Sequence, residues 1–271
     1  MKRHFTTVLL VIILLIGLSL LLYPSVSDYW NSLHQTRVIT DYTAQISNMD
    51  DDTHRALWDA AAAYNASLLE NENRLQPTQE EYAVYESLLN VTGNGIMGYI
   101  EIPSIGVSLP MFHGTAESAL QVAVGHIAGT SLPTGGTGTH CVLSGHRGLP
   151  SAKLFTDLDQ LEVGDLFMLN VLDETLTYEV DLILVVDPYH VSSLEIDPEQ
   201  DLCTLVTCTP YGINTHRLLV RGRRVENLQE EKVIRVTADA VQIEPVVVAP
   251  IVGVPLLLLL LTFLFTSRKR K

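Results

Sequence analysis

Cys208 and Arg217 are residues whose types and spacing suit acyl transfer through a covalent intermediate. Cys208 ends the apolar run TLVTC at 204–208, a proline follows two residues later, and Arg217 follows nine residues later. A thiolate is a strong nucleophile, and a nearby imidazolium or guanidinium favours it over the thiol. Arg217 keeps its charge and can stabilise the oxyanion of a tetrahedral intermediate. The alternative is a buried cysteine that only packs and an arginine on a strand surface.

His146 is the candidate acid and base for the same chemistry. It follows the apolar run CVLS in a glycine-flanked turn, which leaves its imidazole accessible. If this strand and the one ending at Cys208 are parallel neighbours, their ends bring His146 and Cys208 to one rim. A tight turn at 210–212 would then return Arg217 to that rim. A loop histidine with no chemical task is the alternative interpretation.

Short β-rich runs must position these residues. They begin near Gly95, continue to Val225 and are separated by Gly, Pro and Asp clusters. Many short strands at regular spacing indicate a barrel or a sandwich. Before them, residues 27–69 have apolar side chains at helical spacing and a run of four alanines, which predict one or two helices. The segment ENENRLQPTQEE at 70–81 is charged, contains Pro77 and is predicted to be a loop or flap.

Three longer segments resemble class C sortases, the pilus-building cysteine transpeptidases of Gram-positive cell surfaces. They are LLNVTGNGIMGYIEIPSIGVSLPMFHGT, LSGHRGLPSAKLFTDLDQLEVGD and TLVTCTPYGINTHRLLVRGRR. TLVTC looks like the family signature TLxTC, in which Cys208 is the nucleophile. His146 and Arg217 match the family's histidine and arginine in position and chain order. The resemblance covers about residues 82–224 and predicts a mainly β protein, an eight-stranded sortase-type barrel with N-terminal helices and two transmembrane helices.

The resemblance also implies a reaction. Cys208 would attack the Thr–Gly bond of an LPXTG-like sorting signal and form a thioacyl-enzyme. His146 would protonate the leaving amine and later deprotonate a lysine amine of the next pilin, so that pilin subunits polymerise. The alternatives are a sortase that attaches surface proteins to the cell-wall peptide and an inactive sortase-like scaffold. This chemistry requires no metal and no cofactor.

The segment 70–81 departs from the class C pattern. Class C sortases usually have a lid before the barrel in which an Asp-Pro-aromatic triplet plugs the site. The corresponding segment of this chain contains no such triplet. A lid residue can therefore not be assigned by resemblance, and whether a flap closes the site stays open.

Two uncharged runs, at 5–23 and 245–267, are each long enough to cross a bilayer. Basic residues flank both on their outer sides, which predicts that both termini are cytoplasmic and that the catalytic domain is extracellular. The alternatives are a cleaved signal segment for the first run and a buried core helix for the second. The predicted segments are a tail at 1–4, the first span, helices and flap at 24–92, a barrel at 93–227, a connector at 228–244, the second span and a tail at 268–271.

The residues between the two apolar runs are strongly acidic. They contain all 31 acidic residues and 11 of the 17 basic residues, a net charge of −20. Such a surface disfavours nucleic acid and suits either a basic partner or plain solvation.

The remaining cysteines, Cys141 and Cys203, each precede a candidate catalytic residue by five positions. In parallel neighbouring strands they would lie side by side on the opposite face, either as two buried thiols or as a disulfide. His140 lies six residues before His146, and in an extended strand the two would be about 20 Å apart. His140 is therefore not expected to share the reaction centre.

Overall fold

The computed structural model describes residues 2–227, with side chains from residue 9 onward. These residues divide into two compact units, 2–30 and 31–227. The predicted connector at 228–244, the second apolar run and the basic tail lie outside the described residues.

The first unit is helical. It contains the beginning of helix α1, which runs Lys2–Ile46 and includes Pro24. This helix is long and apolar enough to cross a membrane, judged by length and composition, over Leu9–Ile46. The apolar run predicted at 5–23 is therefore helical. A helix pairs its own backbone amides and carbonyls, as a segment in the bilayer core requires.

The prediction of one or two helices at 27–69 is confirmed. Helix α1 continues to Ile46 and helix α2 spans Asp51–Leu68. Asp50 caps α2, because its Oδ1 accepts a hydrogen bond from the backbone N–H of Thr53 at 2.9 Å. An N-cap of this kind satisfies one of the free donors that begin every helix.

The predicted loop at 70–81 is shorter than expected, because helix α3 spans Gln79–Ser87. Thr78 is its N-cap and accepts from the backbone N–H of Glu81 at 3.3 Å. The backbone N–H of Thr78 in turn donates to Glu81 Oε2 at 2.7 Å. This reciprocal capping box is visible in the sequence as Thr-x-x-Glu, and it starts the helix despite the loop-like composition.

Eight strands close into a barrel, which confirms the predicted fold and excludes a sandwich. The strands are β1 Ile96–Ile102, β2 Val107–His113, β3 Val124–His126, β4 Thr139–Ser144, β5 Leu166–Val171, β6 Glu174–Val186, β7 Asp201–Thr209 and β8 His216–Arg224. Their order around the barrel is β1-β2-β3-β4-β7-β8-β6-β5. The pairs β2–β3 and β4–β7 are parallel, and the other pairs are antiparallel. A short helix α4, Glu117–Leu120, follows β2.

The barrel interior is packed with large side chains. Phe167 and Tyr178 are fully buried and stack with their ring centroids 5.5 Å apart. Gly222 on β8 makes room for them, because a Cβ there would lie 2.5 Å from the Phe167 ring. Such interdigitation is what gives a small barrel a solid core.

The helices of the second unit are fastened to the barrel by buried polar side chains. The Tyr42 hydroxyl on α1 donates to the Met97 carbonyl at 3.0 Å and accepts from the Leu172 N–H at 2.7 Å. Asn65 on α2 donates to the Leu132 carbonyl at 2.9 Å and accepts from the Leu132 N–H at 2.6 Å. Each side chain satisfies backbone groups that burial would otherwise leave unpaired.

Cys141 and Cys203 lie directly opposite each other in the β4–β7 ladder, as predicted from their spacing. Both thiols are free and buried in the core. Burial raises the pKa of the Cys203 thiol, since the thiolate would lose its hydration. The structure therefore has two packed thiols rather than a disulfide.

Candidate active site

The strands that lead to the predicted nucleophile and histidine are neighbours and run in the same direction. β4 and β7 pair in parallel as far as Val206. Beyond the end of β4, the Gly145 N–H donates to the Val206 carbonyl at 3.0 Å and the Thr207 hydroxyl donates to the Gly145 carbonyl at 2.8 Å. One residue further, the two segments reach His146 and Cys208, which therefore lie at the same rim of the barrel.

Arg217 arrives at this rim from the next strand. It is the cross-strand partner of Cys208 in the antiparallel β7–β8 pair, so both side chains lie on one face of the sheet. The Asn214 N–H donates to the Pro210 carbonyl at 3.0 Å within the connecting turn. Arg217 Nη1 donates to the carbonyls of Asn214 at 3.3 Å and His216 at 3.1 Å. These bonds hold the guanidinium at the strand end and leave further N–H groups for a substrate.

The face that carries Cys208 also carries a second, smaller cluster of buried apolar side chains. Strand alternation places Val206 on this face, whereas Leu205 belongs to the interior core. We call these side chains the outer apolar cluster: Val142, Leu194, Val206 and Leu219, with Ile127, Leu184 and Val186 packed against them. Cys208, His146 and Arg217 are each half-buried beside it. The three candidate catalytic side chains therefore lie partly exposed at the end of a packed face of the barrel.

Glu117 faces the candidate histidine, which the sequence analysis did not anticipate. Its Oε2 lies 3.5 Å from His146 Nε2, an atom with almost no solvent contact. A hydrogen bond from Gln121 orients the Glu117 carboxylate and, with the charge of His146, lowers the pKa of that carboxyl group. The contact is an ion pair only when the imidazole is protonated. No sequence signal links α4 to this loop.

His140 is a structural residue of the barrel wall. Nδ1 lies 2.7 Å from the Glu195 carbonyl and Nε2 lies 2.7 Å from the Thr204 hydroxyl. Burial lowers the pKa of His140 to about 4. Both ring nitrogens are therefore occupied, and the imidazole is neutral at pH 7.

Other histidines also have structural partners. Nδ1 of buried His126 lies 2.9 Å from the Tyr85 hydroxyl, and its Nε2 lies 2.8 Å from the Ser131 carbonyl. The ring of His113 lies between the carbonyls of Gly95 and Leu88, at 2.9 and 2.7 Å. Two others are exposed at the surface, His190 and His216.

The loop that remains of the predicted flap, residues 69–78, is fastened to the barrel by Arg74. Its Nη1 donates to the Gly129 carbonyl at 2.9 Å and its Nη2 donates to the Leu194 carbonyl at 2.7 Å. Gly129 has a φ of +82°, and a Cβ there would lie 1.8 Å from the Arg74 carbonyl oxygen. Leu194 belongs to the outer apolar cluster. The loop is thus held at the edge of that cluster by an arginine, in a segment that has no Asp-Pro-aromatic triplet.

Within residues 2–227, no group of three or more His, Cys, Asp or Glu side chains is arranged to hold a metal ion. The rim carries a thiol, an imidazole and a guanidinium, with the Glu117 carboxylate beside the imidazole.

Comparison with known proteins identifies the family to which this barrel belongs. A family model described as a sortase domain matches residues 100–225. The structure is similar to sortase C1 of Streptococcus agalactiae, with 47% identity and a TM-score of 0.68 over 71% of this chain and all of that one. It is also similar to sortase C of Streptococcus pneumoniae, with 42% identity and a TM-score of 0.63 over 70% of this chain and 97% of that one. The chain belongs to the sortase family, and its resemblance to the class C sortases is confirmed.

Two further relatives bear on its function. Sortase C of Clostridium perfringens, solved with the C-terminal cell-wall sorting motif, is 44% identical, with a TM-score of 0.63 over 71% of this chain and all of that one. Sortase D of Bacillus subtilis is 32% identical over 131 residues, which span 47% of this chain and 63% of that protein. The match thus covers less than two thirds of that curated relative.

Proposed function

We propose that this chain is a cysteine transpeptidase that acts on LPXTG-like sorting signals, with Cys208, His146 and Arg217 as its catalytic residues. The observation that carries the proposal is the register of two strand pairs. The parallel β4–β7 pair brings His146 beside Cys208, and the antiparallel β7–β8 pair sets Arg217 opposite Cys208. A nucleophile, a proton carrier and a fixed cation at one rim are what acyl transfer requires.

In the first half-reaction, Cys208 reacts as the thiolate after its proton has passed to His146, and its Sγ attacks the carbonyl carbon of the threonine in the Thr–Gly bond. The carbonyl π electrons move to oxygen, and Arg217 stabilises the resulting oxyanion. The C–N bond then breaks, and His146 donates a proton to the departing glycine amine. The products are a thioester on Cys208 and a free amino-terminal glycine peptide.

In the second half-reaction, an amine attacks the thioester carbonyl. His146 accepts the proton that the amine loses, the C–S bond breaks, and Cys208 leaves as the thiolate. With a lysine amine as acceptor the product is an isopeptide bond. Repetition with successive subunits would polymerise a pilin, which is the function we propose by analogy with the class C relatives.

We place the catalytic domain outside the cell membrane of a Gram-positive bacterium. The apolar part of α1 would be an anchor, and the run at 245–267 would be a second one. The basic residues outside both runs would keep the two termini in the cytoplasm. The acidic domain would then face the cell wall and favour the approach of lysine-bearing acceptors.

Trapping the acyl-enzyme tests the reaction. The full chain, in detergent, is mixed with an LPXTG peptide and its mass is measured. We expect an adduct on Cys208 that disappears in Cys208→Ala and is retained in a Cys203→Ser control that still folds. Retention of the adduct in a folded Cys208→Ala protein would assign the nucleophile elsewhere.

The acceptor is tested separately. Purified pilin should yield a ladder of covalent polymers if a pilin lysine is the acceptor. Transfer to a cell-wall amine without a ladder would instead favour wall attachment. A folded wild-type chain that forms no adduct with any sorting peptide would favour the inactive scaffold.

A further inference from the structure

Arg147, the residue after the proposed catalytic histidine, has a nearly buried side chain, only 9% exposed. A buried guanidinium is costly unless its charge and its donors are matched. Its Nη2 forms an ion pair with Asp159, which lies in a 3-10 turn, Leu158–Gln160. The pairing keeps the charge in place within the loop that follows β4.

The same guanidinium reaches the segment that carries the nucleophile. Nη1 donates to the Thr209 hydroxyl at 3.3 Å, and Thr209 directly follows Cys208. The guanidinium carbon also lies 5.9 Å from the centre of the Tyr211 ring, within range of a cation–π contact. Arg147 thus contacts the segment after Cys208 at two side chains, the Thr209 hydroxyl and the Tyr211 ring.

The backbone next to Arg147 also packs against the segment after Cys208. Gly148 has a φ of +77°, and a Cβ at this position would lie 3.0 Å from the Tyr211 ring. The loop is also tied to itself, because the Phe155 N–H donates to the His146 carbonyl at 3.1 Å. The two loops that end β4 and β7 are therefore in contact through a glycine, an aromatic ring and a buried cation.

We infer that Arg147 is a positioning residue that fixes the separation of His146 and Cys208. The bonds between the β4 and β7 segments reach Gly145 and Thr207, so they place the two backbones but not the point at which the side chains of His146 and Cys208 meet. Arg147 directly follows His146, and its side chain binds Thr209, which directly follows Cys208. This contact therefore links the two segments beyond the end of the ladder. A displacement of about 1 Å in a reacting group can cost about 100-fold in rate. The inference rests on the proposed function of His146 and Cys208.

The inference assigns Arg147 no contact with substrate. Its Nη atoms are used by Asp159 and Thr209, and the side chain lies beneath the surface of the rim. Loss of the contact should therefore slow the acylation step and leave peptide binding almost unchanged. A residue that bound the peptide would instead change KM.

The test uses the full chain in detergent and four variants, Thr209→Val, Thr209→Ser, Arg147→Lys and Arg223→Lys. Thr209→Val removes the acceptor hydroxyl without altering charge, and Thr209→Ser keeps it. Arg223→Lys is the matched control, because Arg223 is an exposed arginine on β8. Acylation by an LPXTG peptide, alkylation of Cys208 by iodoacetamide and thermal unfolding are measured for each.

We expect Thr209→Val to lower kcat about tenfold with KM within about twofold of wild type, a modest case of the loss that misplacement causes. Thr209→Ser should restore kcat. Arg147→Lys should resemble Thr209→Val. A lysine ammonium is a single point of charge and cannot replace the planar guanidinium, which binds Asp159 and Thr209 through separate nitrogens. Arg223→Lys should resemble wild type.

A wild-type kcat in folded Thr209→Val would overturn the inference, and so would a change confined to KM. If Arg147→Lys fails to fold, the two Thr209 variants decide alone. Alkylation separates this inference from the proposed reaction, since it needs no sorting peptide. If wild type forms no adduct, the proposed function fails, and slower alkylation in Thr209→Val than in Thr209→Ser still supports the positioning role.

Discussion

Arg217 and Arg223 are two arginines of one strand that differ in surroundings. Arg217 lies opposite Cys208, whereas Arg223 is exposed six residues further along β8. If Arg217 stabilises the oxyanion, Arg217→Ala should slow acylation about 100- to 1,000-fold, the usual cost of losing one such donor. Arg223→Ala should leave the rate unchanged. Single-turnover acylation measures both, and a loss below tenfold in Arg217→Ala would place the oxyanion donor elsewhere.

His140 should make the barrel sensitive to acid. Its pKa is about 4 in the folded state, chiefly through burial, against an ordinary value of 6.5. The unfolded chain therefore binds more protons between these values, and stability falls as the pH drops from 6.5 towards 4. The expected loss of unfolding free energy from this group between pH 7 and 4.5 is about 2 kcal/mol.

Urea unfolding of wild type and His140→Asn at both pH values checks this expectation. The asparagine amide can still donate to the Glu195 carbonyl, but it does not titrate. The pH-dependent loss should be smaller in His140→Asn by the amount above and unchanged in His190→Asn, which alters an exposed histidine. Equal losses in all three proteins would contradict the assignment.

At this scale the sequence predicts the residues with intrinsic reactivity, and it gives no sign of the charged residues that contact them or their loops in the fold. Cys208, His146 and Arg217 are recognisable because their side-chain chemistry and their strand-end locations coincide. Glu117 and Arg147 carry no such mark, because their partners lie 29 and 12 residues away and meet them only after folding. From sequence alone, a charged side chain on a loop is expected to be exposed to solvent. Its burial or its partner becomes visible only in the folded structure.

Among the elements, the loop 69–78 is attached to the barrel by the Arg74 guanidinium and by backbone packing at Gly129. Arg74→Ala should free this loop and the turn at Leu194 together, because one side chain donates to both. Hydrogen exchange should rise there several-fold and stay unchanged in β4 and β7. Arg55→Ala is the control, since Arg55 on α2 is exposed and forms an ion pair with Asp52 on the same helix. Unchanged exchange in Arg74→Ala would mean that backbone packing at Gly129 holds the loop.

The parallel β4–β7 pair was predictable, whereas the start of α3 was misjudged. Two apolar runs that each end in a reactive residue point to adjacent strands of the same direction, because only that pairing gathers both ends at one rim. The charged composition at 70–81 obscured the capping box between Thr78 and Glu81. Composition is an average over a whole segment, whereas a helix begins at one residue. The two reciprocal hydrogen bonds of the capping box therefore determine where α3 begins.

For the molecule as a whole, the acidic charge predicts a dependence on salt. A net charge of −20 between the apolar runs should attract the proposed lysine-bearing acceptor at low ionic strength. Raising NaCl from 0.05 to 0.5 M should slow transfer to a lysine peptide by about threefold to tenfold, since screening shortens the range of the field. Acylation by an uncharged LPXTG peptide should change less than about twofold. Equal salt effects on both steps would mean that the field does not act on the acceptor.

The overall architecture was predictable because strand length, spacing and turn residues repeat along the chain. The prediction that the sheet closes into a barrel depended on the family resemblance, because a sandwich has the same local pattern of short strands. The pairing β2–β3, parallel over only three residues, has no counterpart in the sequence pattern. It depends on the short helix α4 between the two strands, whose four residues are too few to show a period.

The buried positions of Cys141 and Cys203 leave Cys208 as the thiol at the surface among the described residues. A maleimide fluorophore added to the native protein should consequently attach at one place, and denaturation should raise the number of attached dyes from one to three. A sorting peptide that occupies the rim would protect that place from the dye. The wild-type chain thus offers a single-site optical probe of occupancy without removal of any cysteine.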